Sequence, residues 1–324
     1  MNPPSSIPIT PPGLAGELGV LAFAQKALEA GEGAALVTIV GLDGPFSRPL
    51  GAQLAVSGSG AFAGSISGGC LEAALAEEAK IAMADGVNRM LRYGAGSPYI
   101  DVRLPCGGGI DLHVDVHLDP ATLRRAIELG RDRKPFALVY DLQAADAAAK
   151  LVEGAPGDHP NAFVRRFSPA MQLVLAGRGW EIVALTRLAH DAGAPVVVAS
   201  HEQATLEFCA PYATELAPLQ SPRDPPAFAY DADTALACLF HEHEWEAPIL
   251  LAALRSPAFY VGALGSRTTH ATRLDTLRAM GASEDELRAL IGPIGVFAAH
   301  DPMAIAVSSL ADITMRHRAR GRGA

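Results

Sequence analysis

The chain has 324 residues with 26 Lys and Arg against 35 Asp and Glu, a formal net charge of −9, and 49% hydrophobic residues. That length and composition fit two domains with full cores, while the acidic balance argues against general nucleic-acid binding, which rests on neutralising phosphates. No apolar run approaches the ~18 residues a membrane span needs, and the start MNPPSSIPITPPG has neither the charged nor the apolar region of a secretory signal. Four cysteines do not make a disulfide framework, so the expectation is a cytoplasmic protein with reduced thiols.

In chain order, residues 1–13 are rich in Pro and Ser and read as a disordered tail. Apolar residues at helical spacing over 14–30 (Leu14, Leu18, Leu21, Ala24) predict a helix stopped by Gly31. Short β-type runs follow at 34–40, 50–56 and 61–66, split by Gly, Asp and Pro. SGGCLEAALAEEAKIAMADG reads as a glycine turn entering a helix that ends near Gly86. Strands are predicted at 88–93, 99–104 and 110–117, a helix at 120–130, and strands at 136–142 and 162–167. From Met171 the texture changes: a buried strand runs into Gly177-Arg178-Gly179, then a helix over 180–192 and a second buried strand over 194–200. Strands at 234–240 and 258–261 and helices at 247–254, 269–280, 283–291 and 302–317 complete the pattern. Buried strands alternating with helices predict a parallel, doubly wound sheet. The fold class is therefore α/β, with a mixed α+β domain over 14–168, a Rossmann-like domain over 169–318 and a mobile basic tail at 319–324.

Five stretches could carry chemistry. In GSISGGCLE, Gly68 and Gly69 precede a helix whose free N–H groups favour an anion, and Cys70 would sit in its first turn as a stabilised thiolate. The alternative is a tight turn with a buried cysteine. In LPCGGG, Cys106 precedes Gly107, Gly108 and Gly109, which suits a close backbone approach or a bulge before the next strand. Gly177 and Gly179 give half of a dinucleotide fingerprint, but Ile182 occupies the third glycine position, and Ser200 and His201 stand where a ribose-binding acid belongs. HEHEWE offers His241, His243 and Glu246 to a metal or phosphate at a strand end, or forms a solvated loop; its spacing is not that of a zinc-protease helix. YVGALGSR places Gly265, Ser266 and Arg267 between a strand end and a helix start, which suits a phosphate. GPIG leads to Asp301, a candidate N-cap.

These blocks, in this order together with SRPLG near Arg48 and DPMAIAVS near the end, resemble the xanthine dehydrogenase accessory protein family of the XdhC/CoxI type from about Leu14 to Arg316. The resemblance implies a carrier rather than a catalyst, with no catalytic residues of its own. Such proteins bind molybdenum cofactor, as molybdopterin or its dinucleotide form. They protect it during sulfuration and deliver it to a molybdenum hydroxylase of the xanthine dehydrogenase or aldehyde oxidase type. On that basis Cys70 and Cys106 contact the molybdenum centre, and Gly68, Gly69, Gly107 and Gly108 shape the same site. Gly265, Ser266 and Arg267 hold the pterin phosphate or an attached nucleotide, and Gly177 and Gly179 offer a nucleotide turn. The implied partners are an apo molybdenum hydroxylase, a cysteine desulfurase, a cofactor nucleotidyl transferase and a second copy of the chain, with no nucleic acid and no membrane. Trp180, Ser200-His201 and Glu246 depart from the family pattern. Two rival readings follow from the residues: a nicotinamide-dependent oxidoreductase at Gly177 and Gly179, and a metal-dependent hydrolase or nucleotidyl transferase at His241, His243 and Glu246.

Overall fold

The computed structural model describes residues 16–44, 46–69, 71–97, 107–154, 157, 159, 162–223, 227–240 and 243–320, without the side chain of His243. Cys70, Cys106, His241, the expected strand at 99–104 and the expected tail at 1–13 lie outside the described residues. The chain divides into two compact units, one ending at Pro169 and the other beginning at Ala170.

The first unit contains α1 (Glu17–Glu29), β1 (Ala34–Asp43), β2 (Gln53–Ser57), β3 (Phe62–Gly64), α2 (Glu72–Asp85), β4 (Arg89–Gly94), β5 (Gly109–Asp115), α3 (Pro120–Arg131), β6 (Phe136–Asp141), β7 (Lys150–Glu153) and β8 (Ala162–Phe167). Its main sheet is antiparallel with the order β3-β2-β1-β5-β4, and a smaller sheet has the order β7-β6-β8. Alternation along β1 sorts the two cores. Ala35, Val37 and Ile39 join a cluster with Leu75 and Ala79 of α2. Ala34 and Leu36 join a second with Leu21 of α1, Leu123 of α3 and Phe136 of β6. Asp119 starts α3 by accepting from the amides of Ala121 and Thr122, with Pro120 at the first helical position. Gly86 ends α2 in the left-handed conformation, at φ +64°.

The second unit contains β9 (Gln172–Gly177), α4 (Trp180–Asp191), β10 (Val196–Ser200), α5 (Gln203–Cys209), β11 (Glu215–Pro218), β12 (Thr234–Leu239), α6 (His243–Leu254), β13 (Tyr260–Ala263), α7 (Arg267–Ala279), α8 (Glu284–Ala289) and α9 (Pro302–Arg320). Its strands are all parallel, in the order β11-β10-β9-β12-β13. Val174 and Ala176 of β9 face Ala247 and Leu250 of α6. Leu173 and Leu175 belong to the opposite core with Ile182 and Leu185 of α4 and Ile313 of α9. The order reverses between β9 and β12, which makes a topological switch point at their carboxyl ends.

Three expectations need correction. The second helix starts at Glu72, so Cys70 precedes its N-cap, Leu71. HEHEWE is not a loop beyond His243: α6 begins there and accommodates Pro248 inside it. The basic tail is shorter than expected, because α9 runs to Arg320. Arg316 pairs with Asp312 at 2.8 Å, His317 lies 3.0 Å from Asp233, and Arg320 donates to the Ala232 carbonyl.

Candidate functional site

The described residues flanking the two cysteines, 65–69 and 107–108, stand at the same end of the first unit's five-stranded sheet. The 65–71 loop follows β3, which runs in the direction of β1, and Gly107 and Gly108 lead into β5 opposite the end of β1. The loop joining β1 to β2 touches both. A Cβ on Gly44 would lie 3.6 Å from Gly108 Cα, and Arg48 Nη2 donates to Ser65 Oγ at 3.3 Å. Arg48 stands four positions after Gly44, which puts their Cα atoms at most about 14 Å apart.

The glycines here have different causes. Gly68 and Gly69 have open space around them but φ of +77° and +116°, so they set the turn. Gly107 has φ +69° and is likewise unobstructed. Gly109 is fixed by packing: a Cβ would meet Arg92 Nη2 at 2.7 Å and the Ala95 carbonyl at 2.9 Å. Arg92 braces this sheet end, with Nη1 2.9 Å from both Asp111 oxygens and Nη2 2.8 Å from Asp43.

The anion nest predicted before α2 is occupied by the chain itself. Glu72 Oε1 accepts from the amides of Ile66, Ser67 and Gly68 at 2.9, 2.8 and 3.1 Å. Its Oε2 accepts from the amides of Gly69 and Leu71 at 2.8 and 3.3 Å and from Ser67 Oγ at 2.6 Å. Burial alone would raise this carboxyl, but the Ser67 hydroxyl and the loop amides outweigh it and hold it at about 2.

At the carboxyl edge of the second unit's parallel sheet, the turns after β9, β12 and β13 stand side by side, bringing together Gly177 and Gly179, the His243 helix start, and Gly265, Ser266 and Arg267. Gly177 is required by strand packing, since a Cβ would lie 2.6 Å from the Leu239 carbonyl oxygen. The α4 turn is also closed internally. The Gly179 amide donates to Thr205 Oγ1 at 3.0 Å, and that hydroxyl donates to Glu202. Ile182 is buried in the core at the position a third glycine would take. His201 stacks on Trp245 with centroids 4.6 Å apart. Glu246 is committed to Arg273, through Nε at 2.8 Å and Nη2 at 3.1 Å, with both side chains 1% exposed. Among the described residues no group of three His, Cys, Asp or Glu is placed to hold a metal ion.

Residues 27–94 match the XdhC and CoxI family, and residues 173–313 match the XdhC Rossmann domain. The chain is 38% identical over 295 residues, 91% of its length and 86% of the relative's, to the molybdenum cofactor insertion chaperone PaoD of Escherichia coli (strain K12). The chain belongs to the XdhC and CoxI family. A solved structure described as a xanthine dehydrogenase from Bacillus halodurans shares the fold, with a TM-score of 0.74 at 21% identity over 93% of this chain and 96% of that one. In this member of the XdhC and CoxI family no helix among the described residues is long and apolar enough to cross a membrane.

Sequence reasoning missed Glu72, Arg48, Thr205 and Arg273. Glu72 had a signal, an acid entering a helix just after a Gly-Gly turn. Arg273 had a weaker one, since it stands four residues before Leu277 and these two are the buried positions of α7. For Arg48 and Thr205 the partners, Ser65 and Gly179, are 17 and 26 residues away.

Proposed function

We propose that this protein binds molybdenum cofactor as cargo, guards it while sulfur is installed, and hands it to an apo molybdenum hydroxylase of the xanthine dehydrogenase or aldehyde oxidase type. The observation that carries this reading is the meeting of the two cysteine-flanking segments at one sheet end, tied by Gly44 against Gly108 and Arg48 on Ser65, in a chain 38% identical to a molybdenum cofactor insertion chaperone. Cys70 and Cys106 supply thiols, soft donors suited to a metal already ligated by sulfur. Gly68, Gly69, Gly107 and Gly108 let backbone approach the cargo without side-chain obstruction. Because Glu72 accepts from the amides of 66–69 and Leu71, these amides are not the phosphate holder. Within the second unit, the turn at Gly265, Ser266 and Arg267 suits a phosphate or a nucleotide. A cysteine desulfurase, a cofactor nucleotidyl transferase and a second copy of the chain are the accompanying partners, in the cytoplasm.

The test is retention. The protein is purified with the cofactor present, and bound pterin and molybdenum are measured by native mass spectrometry. The wild type retains both, and Cys70→Ser and Cys106→Ser each lower the retained molybdenum at least tenfold. Undiminished retention in both variants removes the cysteines from the site, and no pterin on the wild type overturns the reading.

A further inference from the structure

Three chain segments meet at one end of the first unit's main sheet: the end of β1 at Asp43 and Gly44, the turn after β4 at Ala95, and the start of β5 at Gly108 and Gly109. Arg92 of β4 reaches all three. Nη1 donates to both oxygens of Asp111 on the neighbouring strand at 2.9 Å, Nη2 to Asp43 two strands away at 2.8 Å, and Nε to the Ala95 carbonyl at 2.9 Å. Neighbouring strands lie about 4.8 Å apart, so the side chain passes over β5 to reach β1. It passes at Gly109, which pairs with Asp43 on one side and with Gly94 on the other.

The chain leaves room for this crossing. A Cβ on Gly109 would lie 2.7 Å from Arg92 Nη2, one on Gly96 3.2 Å from Nε, and one on Gly41 2.6 Å from Asp111 Oδ2. An ammonium, with a single donor atom, cannot span three acceptors held by a planar fork. The arms also converge. The Ala95 amide donates to the Gly108 carbonyl at 3.0 Å, and Gly44, next to Asp43, faces Gly108 so closely that a Cβ on it would lie 3.6 Å from the Gly108 Cα. The arm to Asp43 joins side chains 30% and 71% exposed. Such a pair adds little to stability, so cohesion of the sheet does not account for it.

We infer that Arg92 is a positioning residue: its guanidinium fixes the 107–109 segment between the end of β1 and the turn after β4, and so sets where the thiol of the preceding Cys106 is presented. The clamp itself stands on the hydrogen bonds; what the thiol meets rests on the carrier reading. A binding constellation has to be held to within about 0.5 Å, and a two-glycine segment after the cysteine has no side chains of its own to hold it.

The experiment uses the full chain, reduced and free of cofactor, titrated with phenylarsine oxide. Its arsenic forms two As–S bonds with a pair of neighbouring thiols and releases water. Wild type is expected to bind one equivalent, and Cys106→Ser to lose it. Asp43→Ala removes only the arm to β1. It is expected to keep the wild-type urea midpoint and to bind the arsenical at least tenfold more weakly. Gly109→Ala obstructs the crossing without removing a charge and is expected to weaken binding equally. Should it fail to fold, Arg92→Lys gives the second reading. Wild-type affinity in these folded variants overturns the proposal, as does weakening that appears only with a matching fall in the urea midpoint. A wild type that binds no arsenical overturns it too. Protein that retains pterin and molybdenum, and whose variants bind the arsenical normally, keeps the carrier role and loses the clamp. Protein whose variants lose the arsenical, but which never retains pterin, keeps the clamp and loses the carrier role.

Discussion

Ser67 gives Glu72 two hydrogen bonds, its amide to Oε1 at 2.8 Å and its hydroxyl to Oε2 at 2.6 Å. The pair turns a run of small residues into a closed loop around a carboxylate. Removing that acceptor leaves the amides of Ile66, Ser67 and Gly69 to find water, while those of Gly68 and Leu71 keep Ser65 Oγ at 3.2 Å and Ser67 Oγ at 2.7 Å. Glu72→Ala is therefore expected to destabilise the protein by about 2 kcal/mol, with a smaller loss for Glu72→Gln, which keeps one oxygen. Urea unfolding measures the stability, and hydrogen exchange at 66–69 measures the loop. Unchanged exchange there in the Ala variant would show that the loop does not depend on the carboxylate.

Asp115 gives the first unit a pH signature. It is fully buried on β5 and lines a cavity of about 10 Å³. Oδ1 accepts the His117 amide at 3.0 Å and Oδ2 has no partner. Burial pushes its carboxyl from 3.8 up to about 6, opposed by the amides of His117 and Ala149. A raised acid binds its proton more tightly in the folded state, so stability falls as pH rises from 3.8 through 6. His113, two positions earlier on the same face, is lowered by burial from 6.5 to about 4, so its contribution falls as pH drops through that window. The two oppose each other. Asp115→Asn removes the first, so the variant gains stability relative to wild type at pH 7.5, on the order of 1–3 kcal/mol, and the gain vanishes near pH 4. Parallel unfolding curves across this range would contradict the assignment.

Sequence periodicity carried most of the architecture because the strands of the second unit are continuous apolar runs and its helices have clear glycine and proline ends. What it lost were short, half-exposed edges. β7 reads KLVE, β11 reads ELAP, and both flank their sheets, so neither shows the alternation or the run length that marks a buried strand. α5 has seven residues, too few for a periodic pattern to stand out. The start of α6 was obscured by charged residues and by Pro248, which the structure accepts in the second turn of the helix. In the candidate sites, residue types and spacing pointed to the glycine turns before α2, α4 and α7 but not to what occupies them. Whether a nest of amides awaits a ligand depends on where one side chain folds, as Glu72 shows, and no local pattern encodes that Glu246 meets Arg273 across 27 residues.

The two cysteines inside the second unit provide a background for thiol chemistry. Cys209 and Cys238 are free and fully buried. Burial raises both thiols, and Cys238 is pushed further by nearby Glu246. Thiolate is the reactive form, so iodoacetamide at pH 8 is expected to leave both unlabelled in the native protein and to label them fully in urea. Mass spectrometry of the peptides checks this. Native-state labelling of Cys238 would mean that the Glu246–Arg273 region opens on the labelling timescale.

The α4 turn settles the rival nicotinamide reading by experiment. A dinucleotide needs the helix-start amide and a glycine free to approach the pyrophosphate. Here Gly179 donates to Thr205, Glu202 adds a negative charge behind that hydroxyl, and Gly177 is consumed by the Leu239 carbonyl. NADH and NADPH are therefore expected to show no saturable fluorescence change up to millimolar concentration. Gly177→Ala separates the structural role from a ligand role. Its methyl would stand 2.6 Å from a backbone oxygen of β12, which cannot move without disturbing the central strand pair, so the variant is expected to lose about 2–3 kcal/mol of stability. Micromolar NADH binding that disappears in Gly177→Ala would instead assign this turn to the dinucleotide.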